Sequence, residues 1–267
     1  MVDYKGNYIY THAPDNVTDK EENIMAYINA KQSDFVLDVG SGHFPHSTAD
    51  ILVERFLGDT EHRSNKRLVR NRPIVCADIH TLPFKNDAFD YVICNQVVEH
   101  VDDPAQALNE LSRVGKRGFL GVPSEFFEFI CPTAEHRWTF AFKDNQLLVK
   151  PKSERHRYGL QMYGGVFHML FGHTDFRRLA LRRPNLFGVS FEWQETIRYQ
   201  IFNDDEPFYD YHNLASVGAL LQPVPPRNLF EGIRLWLRIN LDLSQMYKLS
   251  RLRARARQLL KGSRLVE

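Results

Sequence analysis

The stretch FVLDVGSG at positions 35–42 constrains the fold more than any other part of the sequence. The apolar residues Val36, Leu37 and Val39 predict a short buried strand that ends at Gly40. Glycine can adopt a positive φ and lets a ligand approach backbone N–H groups closely. Because α/β proteins bind nucleotides at the carboxyl edge of a parallel sheet, the stretch predicts either such a site or a core strand with a simple glycine turn.

Three further motifs follow this stretch along the chain. An apolar run ends in Asp78 and leads into Leu-Pro-Phe at 82–84, FDYVICN spans 89–95, and VVEHV spans 97–101. Together the four motifs resemble the class I S-adenosylmethionine-dependent methyltransferases, in the small-molecule, type 11-like branch, over about residues 34–123. The resemblance implies an α/β fold with a doubly wound, seven-stranded, mostly parallel Rossmann-like sheet. It also implies a substrate lid inserted after strand five.

The resemblance implies a binding site for S-adenosyl-L-methionine at the carboxyl ends of the strands. Glu54 would bind the ribose hydroxyls, since a carboxylate can accept two hydrogen bonds from a vicinal diol. Asp78 would accept a hydrogen bond from the adenine amino group, and Ile79 would pack on the ring edge. The residues expected to line the site are Asp38, Gly40, Ser41, Gly42, Glu54, Asp78, Ile79 and Asn95.

Two positions in this region leave alternatives open. The family usually has a third glycine where this chain has Phe44, so the glycine loop departs from the family pattern. Glu54 could also be an exposed acid at a strand end with no ligand. The sequence therefore predicts the cofactor site from the combination of motifs, since no one of them is sufficient alone.

The expected chemistry is an in-line displacement at a sulfonium methyl group, in which the protein mainly aligns donor and acceptor. A hydroxyl acceptor must also lose its proton, which a histidine that titrates near neutral pH can accept. His100 and His136 are the predicted catalytic bases. The structural alternative is that Glu99 and His100 only cap and pack the following helix.

Some relatives carry Glu-x-x-Glu-His at this point and bind a divalent metal with a further histidine. This chain has Gln96 at the first position of that pattern. An uncharged amide is a poorer ligand for a hard cation than a carboxylate is. The sequence therefore predicts no metal.

Several secondary-structure elements are predicted downstream of the motifs, from capping residues, turn residues and hydrophobic periodicity. They are a helix at 104–114 capped by Asp103, a strand at 118–122, a hairpin formed by 137–142 and 146–149, a helix from 174 to 181, and an antiparallel strand pair at 189–193 and 196–202 that closes the sheet.

The net charge of +1 is distributed unevenly. Residues 226–267 contain ten Lys/Arg and three Asp/Glu, so the rest of the chain is acidic. We expect a methyltransferase domain at 1–225, with its lid insertion at about 124–172, and a basic helical extension at 226–267. From Tyr247 onward, leucines at helical spacing alternate with arginines, which is typical of a helix that lies on an anionic membrane. A helix that packs on the protein or on a second subunit is the alternative.

The chain has three cysteines, no apolar segment at its N-terminus, and no run of about 18 uncharged apolar residues. These features predict a cytoplasmic protein with peripheral membrane contact through the C-terminal helix. The predicted activity is O-methylation of a small molecule or of a glycan or lipid intermediate. The alternatives are 2′-O-methylation of a nucleic-acid terminus, although a nucleic-acid partner is not expected, and a catalytically inactive S-adenosylmethionine-binding protein.

Overall fold

The computed structural model describes residues 28–58, 67–153, 174–204, 206–218, 220–226 and 229–240. Its strands are β1 (Val36–Val39), β2 (Ile51–Glu54), β3 (Ile74–Cys76), β4 (Tyr91–Asn95), β5 (Arg117–Pro123), β6 (Trp138–Lys143), β7 (Gln146–Pro151), β8 (Gly188–Gln194) and β9 (Tyr199–Ile201). Its α-helices are α1 (Pro104–Val114), α2 (Glu125–Ile130), α3 (Thr174–Arg182), α4 (Pro184–Phe187), α5 (Leu214–Val217) and α6 (Leu229–Asn240), and Val98–His100 form a 3₁₀ helix.

The main sheet has the strand order β3-β2-β1-β4-β5-β8. Strands β1 to β5 are parallel, and β8 is antiparallel to β5. Strand β1 is buried on both faces: Leu37 belongs to the core that contains Leu108 of α1, whereas Val36 packs on the opposite face with Tyr91. A strand buried on both faces needs apolar residues at consecutive positions, which is why the sequence of β1 does not alternate. The α/β class predicted from the sequence is confirmed.

Elements with strong local signals lie where the sequence predicted them. Helix α1 covers Pro104–Val114, and the Asp103 side chain accepts a hydrogen bond from the backbone N–H of Gln106 at 3.0 Å. The β6–β7 hairpin turns at Asp144 and Asn145, which have φ values of 52° and 58°. Positive φ at both turn residues matches the right-handed twist of the two strands.

The seven-stranded sheet is not found in the described part of the chain, where the main sheet has six strands. The predicted strand at 196–202 forms only as β9, and it pairs in parallel with β7 in a second sheet of order β6-β7-β9. Backbone hydrogen bonds fix this arrangement: Leu147 N–H donates to Arg198 O at 2.9 Å, and Phe202 N–H donates to Val149 O at 2.8 Å. Strand β9, which was expected to close the main sheet, is therefore paired with the β6–β7 hairpin instead.

Several predictions fall wholly or partly outside the described residues. These predictions are the lid beyond residue 153, the N-terminal part of the methyltransferase domain before residue 28, and the basic amphipathic segment from Tyr247. Within the range that was predicted to be a lid, the structure describes α2 and the β6–β7 hairpin. Among the described helices, none combines the length and the apolar character that a membrane crossing requires.

Candidate functional site

The glycine turn after β1 lies at the carboxyl edge of the main sheet, beside the ends of β2 and β4. Gly40 and Gly42 have φ values of 70° and 58°, a region that side chains with a Cβ rarely occupy. A Cβ added at Gly40 would also clash with Cγ2 of Val97, in the segment after β4. The turn thus contacts the residues immediately before the 3₁₀ helix.

Glu54 ends β2 and supports this turn. Its carboxylate oxygen Oε1 accepts hydrogen bonds from the Ser41 hydroxyl at 2.9 Å and from the backbone N–H of Gly42. The side chain is buried, with 7% of the residue exposed. The alternative of an exposed acid without contacts is therefore wrong, because Glu54 is buried against the glycine turn and bonded to it.

Asp38, in β1, is also buried and faces the loop that follows the glycine turn. Its oxygen Oδ2 accepts a hydrogen bond from the backbone N–H of His46 at 2.8 Å. Burial raises the pKa of Asp38 to about 7. Arg72 fixes the same loop, because its guanidinium donates to the carbonyl oxygens of His46 at 2.9 Å and Ala49 at 2.6 Å.

Asp78 lies two residues beyond the end of β3, at the same edge of the sheet. Its Oδ1 accepts a hydrogen bond from the backbone N–H of His80 at 3.0 Å and lies 2.6 Å from His80 Nδ1, while Oδ2 lies 3.2 Å from Arg55 Nε. Partial burial works in the opposite direction, but the His80 hydrogen bonds and the Arg55 charge lower the pKa of Asp78. Ile79 is buried in the core next to it.

Asn95 ends β4 at the centre of the sheet. A Cβ on Gly121 of β5 would clash with the Asn95 side-chain oxygen, so this glycine makes room for the amide. The next residue, Gln96, has a φ of 56° and donates its backbone N–H to Gly121 O at 2.8 Å. The chain therefore turns sharply as it leaves β4, and the 3₁₀ helix follows at the edge of the sheet.

The two candidate bases meet at this 3₁₀ helix. Two hydrogen bonds hold the start of β6 against it: Arg137 N–H donates to Glu99 O at 2.8 Å, and Trp138 Nε1–H donates to Val101 O at 2.8 Å. As a result, the rings of His100 and His136 lie in edge contact, with their centroids 4.6 Å apart. His100 is exposed, whereas His136 is 8% exposed.

His136 is oriented by a buried ion-pair network that the sequence reasoning missed. Nδ1–H of His136 donates to Glu128 of α2, and the Lys152 ammonium pairs with the other oxygen of the same carboxylate. Burial opposes charge on both members of the pair, but their hydrogen bond and mutual attraction raise the pKa of His136 and lower that of Glu128. A signal was present in the sequence only for Glu128, a charged residue between Phe127 and Phe129, because Lys152 lies in a polar stretch.

Besides Glu128 and Lys152, the structure adds Glu99 as a functional candidate. It is completely buried, and no hydrogen-bond partner within the described residues reaches either carboxylate oxygen. Burial raises its pKa to about 7. One possible ligand atom from each of Glu99, His100 and His136 lies within 4.8 Å of the other two. These three side chains could hold a metal ion, a grouping that the comparison of Gln96 with the Glu-x-x-Glu-His pattern did not consider.

Comparison with known proteins shows what this region of the chain is similar to. Residues 37–120 match the family model of a methyltransferase domain. An uncharacterized methyltransferase of Mycobacterium leprae is 39% identical over 97 residues, which are 33% of this chain and 36% of that protein. The bifunctional methionine biosynthesis protein MetXA/MetW of Rhodopirellula baltica is 34% identical over 118 residues, which are 39% of this chain and 19% of that protein. The chain therefore spans well under half the length of these relatives.

Solved structures show only low overall similarity. A SAM-dependent methyltransferase of Thermotoga maritima has a TM-score of 0.29 and 21% identity, with 35% of this chain and 46% of that chain covered. The YcgJ protein of a Bacillus species has a TM-score of 0.30 and 21% identity, with 36% and 47% covered. Residues 37–120 are therefore similar in sequence to a methyltransferase domain, and the low TM-scores add nothing to that similarity.

Proposed function

We propose that this protein transfers the methyl group of S-adenosyl-L-methionine to a hydroxyl group of a small molecule or of a glycan or lipid intermediate. The observation that carries the proposal is the contact between the His100 and His136 rings beside the glycine turn. Val97, which fills the space beside Gly40, directly precedes the 3₁₀ helix that carries His100. Two groups able to accept a proton are thereby close to the expected cofactor.

The described residues fit the cofactor at several points. The left-handed φ values of Gly40 and Gly42 form a turn that a ligand can approach closely. Glu54 uses Oε1 to support this turn, and we assign its carboxylate to the ribose hydroxyls. His80 and Arg55 hold the Asp78 carboxylate at the same edge, where it would accept a hydrogen bond from the adenine amino group.

The cofactor, when bound, supplies a sulfonium with a transferable methyl group. The residues of the chain must then accept the proton that the acceptor hydroxyl loses. Since Glu128 engages Nδ1 of His136, the other ring nitrogen is the one that can act on an acceptor. The ionised Glu128 carboxylate would stabilise positive charge on that ring. The exposed position of His100 connects the pair with solvent.

The direct test is incubation of the purified full chain with a metabolite extract and S-adenosylmethionine that carries a labelled methyl group. A labelled product should form with the wild-type protein and decrease 100-fold or more for His136→Gln, a typical range of about 10² to 10⁴ for the loss of acid–base catalysis. Cofactor affinity should be nearly unchanged in that variant. Cofactor binding without any labelled product from small molecules or RNA would instead support the inactive binding protein.

We also propose that the C-terminal part of the protein contacts an anionic membrane. Large apolar residues on one face of α6 are exposed, among them Leu229 at 82% and Trp236 at 61%. The sequence that follows α6, residues 241–267, contains seven Lys/Arg and two Asp/Glu. An apolar face next to basic sequence suits an anionic lipid surface, where aromatic residues favour the interface.

Sedimentation with vesicles tests this contact. The full chain should sediment with anionic vesicles, less so as salt is added, and should not sediment with neutral ones. Trp236→Glu should reduce sedimentation without affecting cofactor binding, and Lys116→Glu, at an exposed position just before β5, serves as a surface control. Equal sedimentation of the wild-type and Trp236→Glu proteins would rule out the contribution of α6.

A further inference from the structure

The surroundings of Glu99 are unusual for a buried acid. The residue has no exposed surface, and the described residues offer no hydrogen-bond partner to either of its carboxylate oxygens. Burying an ionisable group without a partner is costly, and proteins usually compensate with a counterion, a hydrogen bond or a metal. Every other buried acid in this region, including Glu54 and Glu128, has such a partner. Within the described part of the chain, the Glu99 carboxylate is therefore left without a compensating group.

Two imidazoles lie next to this unpartnered carboxylate. The possible ligand atoms of Glu99, His100 and His136 are all within 4.8 Å of one another. Atoms that bind one transition-metal ion at roughly 2.1 Å each lie about 3–4 Å apart. His100 is exposed, so packing does not enclose its ring on all sides and it has room to move toward the other two atoms.

The environment of His136 matches that of a metal-binding histidine. Nδ1–H of His136 donates to Glu128, so the lone pair of Nε2 is the one available for a metal. Histidine ligands in proteins are commonly held by a carboxylate in this way, which fixes the tautomer and the orientation of the ring. Lys152 pairs with the same Glu128 carboxylate and offsets its charge.

We infer that Glu99, His100 and His136 bind a divalent transition-metal ion such as Zn²⁺ or Mn²⁺. Two imidazoles favour such ions over Mg²⁺ and Ca²⁺, which prefer oxygen ligands throughout. Three protein ligands leave coordination positions open, as in catalytic metal sites.

The role of the metal rests on the proposed function. An acceptor hydroxyl bound at an open position would lose its proton to water more readily, because the cation stabilises the alkoxide. The alkoxide oxygen then forms a bond to the methyl carbon while the carbon–sulfur bond breaks, and the sulfonium becomes a neutral thioether. In this refinement, the two histidines act as ligands, and no free imidazole is required as the base.

Titration of the full chain with Mn²⁺, followed by the loss of the free-ion electron paramagnetic resonance signal, tests the site without any need for activity. The wild-type protein should bind one ion. Glu99→Gln, His100→Gln and His136→Gln should each weaken binding 10-fold or more, and His212→Gln, an exposed histidine elsewhere, should leave it unchanged. Since His100 is exposed, its variant should fold even if a buried replacement does not. Equal binding by the wild-type and His100→Gln proteins, or no binding by the wild type, would overturn the inference.

Methyl transfer measured with and without a chelator separates this inference from the proposed function. Bound Mn²⁺ with no methyl transfer to any acceptor would contradict the proposed function and leave the metal site in place. Methyl transfer that persists after removal of metal and is abolished by His136→Gln would contradict the metal site and favour a free histidine base.

Discussion

Two glutamates at the same edge of the main sheet are both buried, and their surroundings differ. Glu54 ends β2 and accepts hydrogen bonds from Ser41 and Gly42, which belong to the turn beside it. Glu99 follows β4 and has no such partner within the described residues. The first carboxylate has one oxygen fixed by the glycine turn, whereas the second has no hydrogen-bond partner among the described residues. The same edge thus holds an acid whose position the protein fixes and an acid whose burial calls for a ligand of its own.

The largest effect on stability is expected at Glu128, which is buried together with two ion-pair partners, His136 and Lys152. Lys152→Met would remove one of these two partners from the interior. Loss of one member of a buried ion pair typically costs about 3–5 kcal/mol in the free energy of unfolding. Chemical denaturation should show this loss. The matched control is Lys116→Met, whose pair with Asp90 is exposed to solvent and should therefore contribute far less to stability. Equal losses in the two variants would contradict a special role for burial.

A smaller effect is expected for the acids assigned to the cofactor. Asp78→Ala should weaken the affinity for S-adenosylmethionine by roughly 1.5–3 kcal/mol, the usual range for a hydrogen bond to a charged group. Glu54→Ala should also weaken it, both directly and through the glycine turn. Isothermal titration calorimetry measures both effects, and unchanged affinity in the two variants would show that the site is assigned wrongly.

The pH dependence of stability tests another buried acid, Asp38 of β1. Burial raises its pKa to about 7 in the folded protein, above the value of about 3.9 in an unfolded chain. Between these two pH values the folded state binds the extra proton, so stability falls as pH rises from about 4 to about 7. Asp38→Asn cannot ionise, and its unfolding free energy should decline less over this range. Parallel profiles for the two proteins would mean that Asp38 is ionised in the folded state throughout.

The sequence predicted those parts of the fold that short segments determine. Asp103 with the following proline specified the start of α1, and Asp144-Asn145 specified the β6–β7 turn. The partner of β9 could not be predicted, because pairing with β7 depends on where the hairpin lies in three dimensions. Local sequence signals predict that a strand forms, but they do not predict which edge of which sheet it joins.

The residues of the candidate site likewise divide into those that local motifs predicted and those that depend on contacts in three dimensions. The glycine turn and the strand-end acids Glu54 and Asp78 were predicted, and the structure brings them to one edge of the sheet. The prediction of no metal considered only Gln96 within its own motif. It could not include His136, because the contact of His136 with the 3₁₀ helix requires the hydrogen bonds of Arg137 and Trp138.

The central claim is that the glycine turn at this edge binds S-adenosylmethionine. Calorimetric titration of the full chain with the cofactor tests it most directly, with Gly40→Ala and Gly58→Ala as a matched pair. Gly40 has a φ of 70° and its added Cβ would clash with Val97, whereas a Cβ at Gly58 meets nothing within 4 Å. Circular dichroism checks that both variants are folded. We predict binding by the wild-type and Gly58→Ala proteins and at least a 10-fold loss for Gly40→Ala. A wild-type protein that does not bind the cofactor, or a folded Gly40→Ala variant that binds it equally well, would contradict the account.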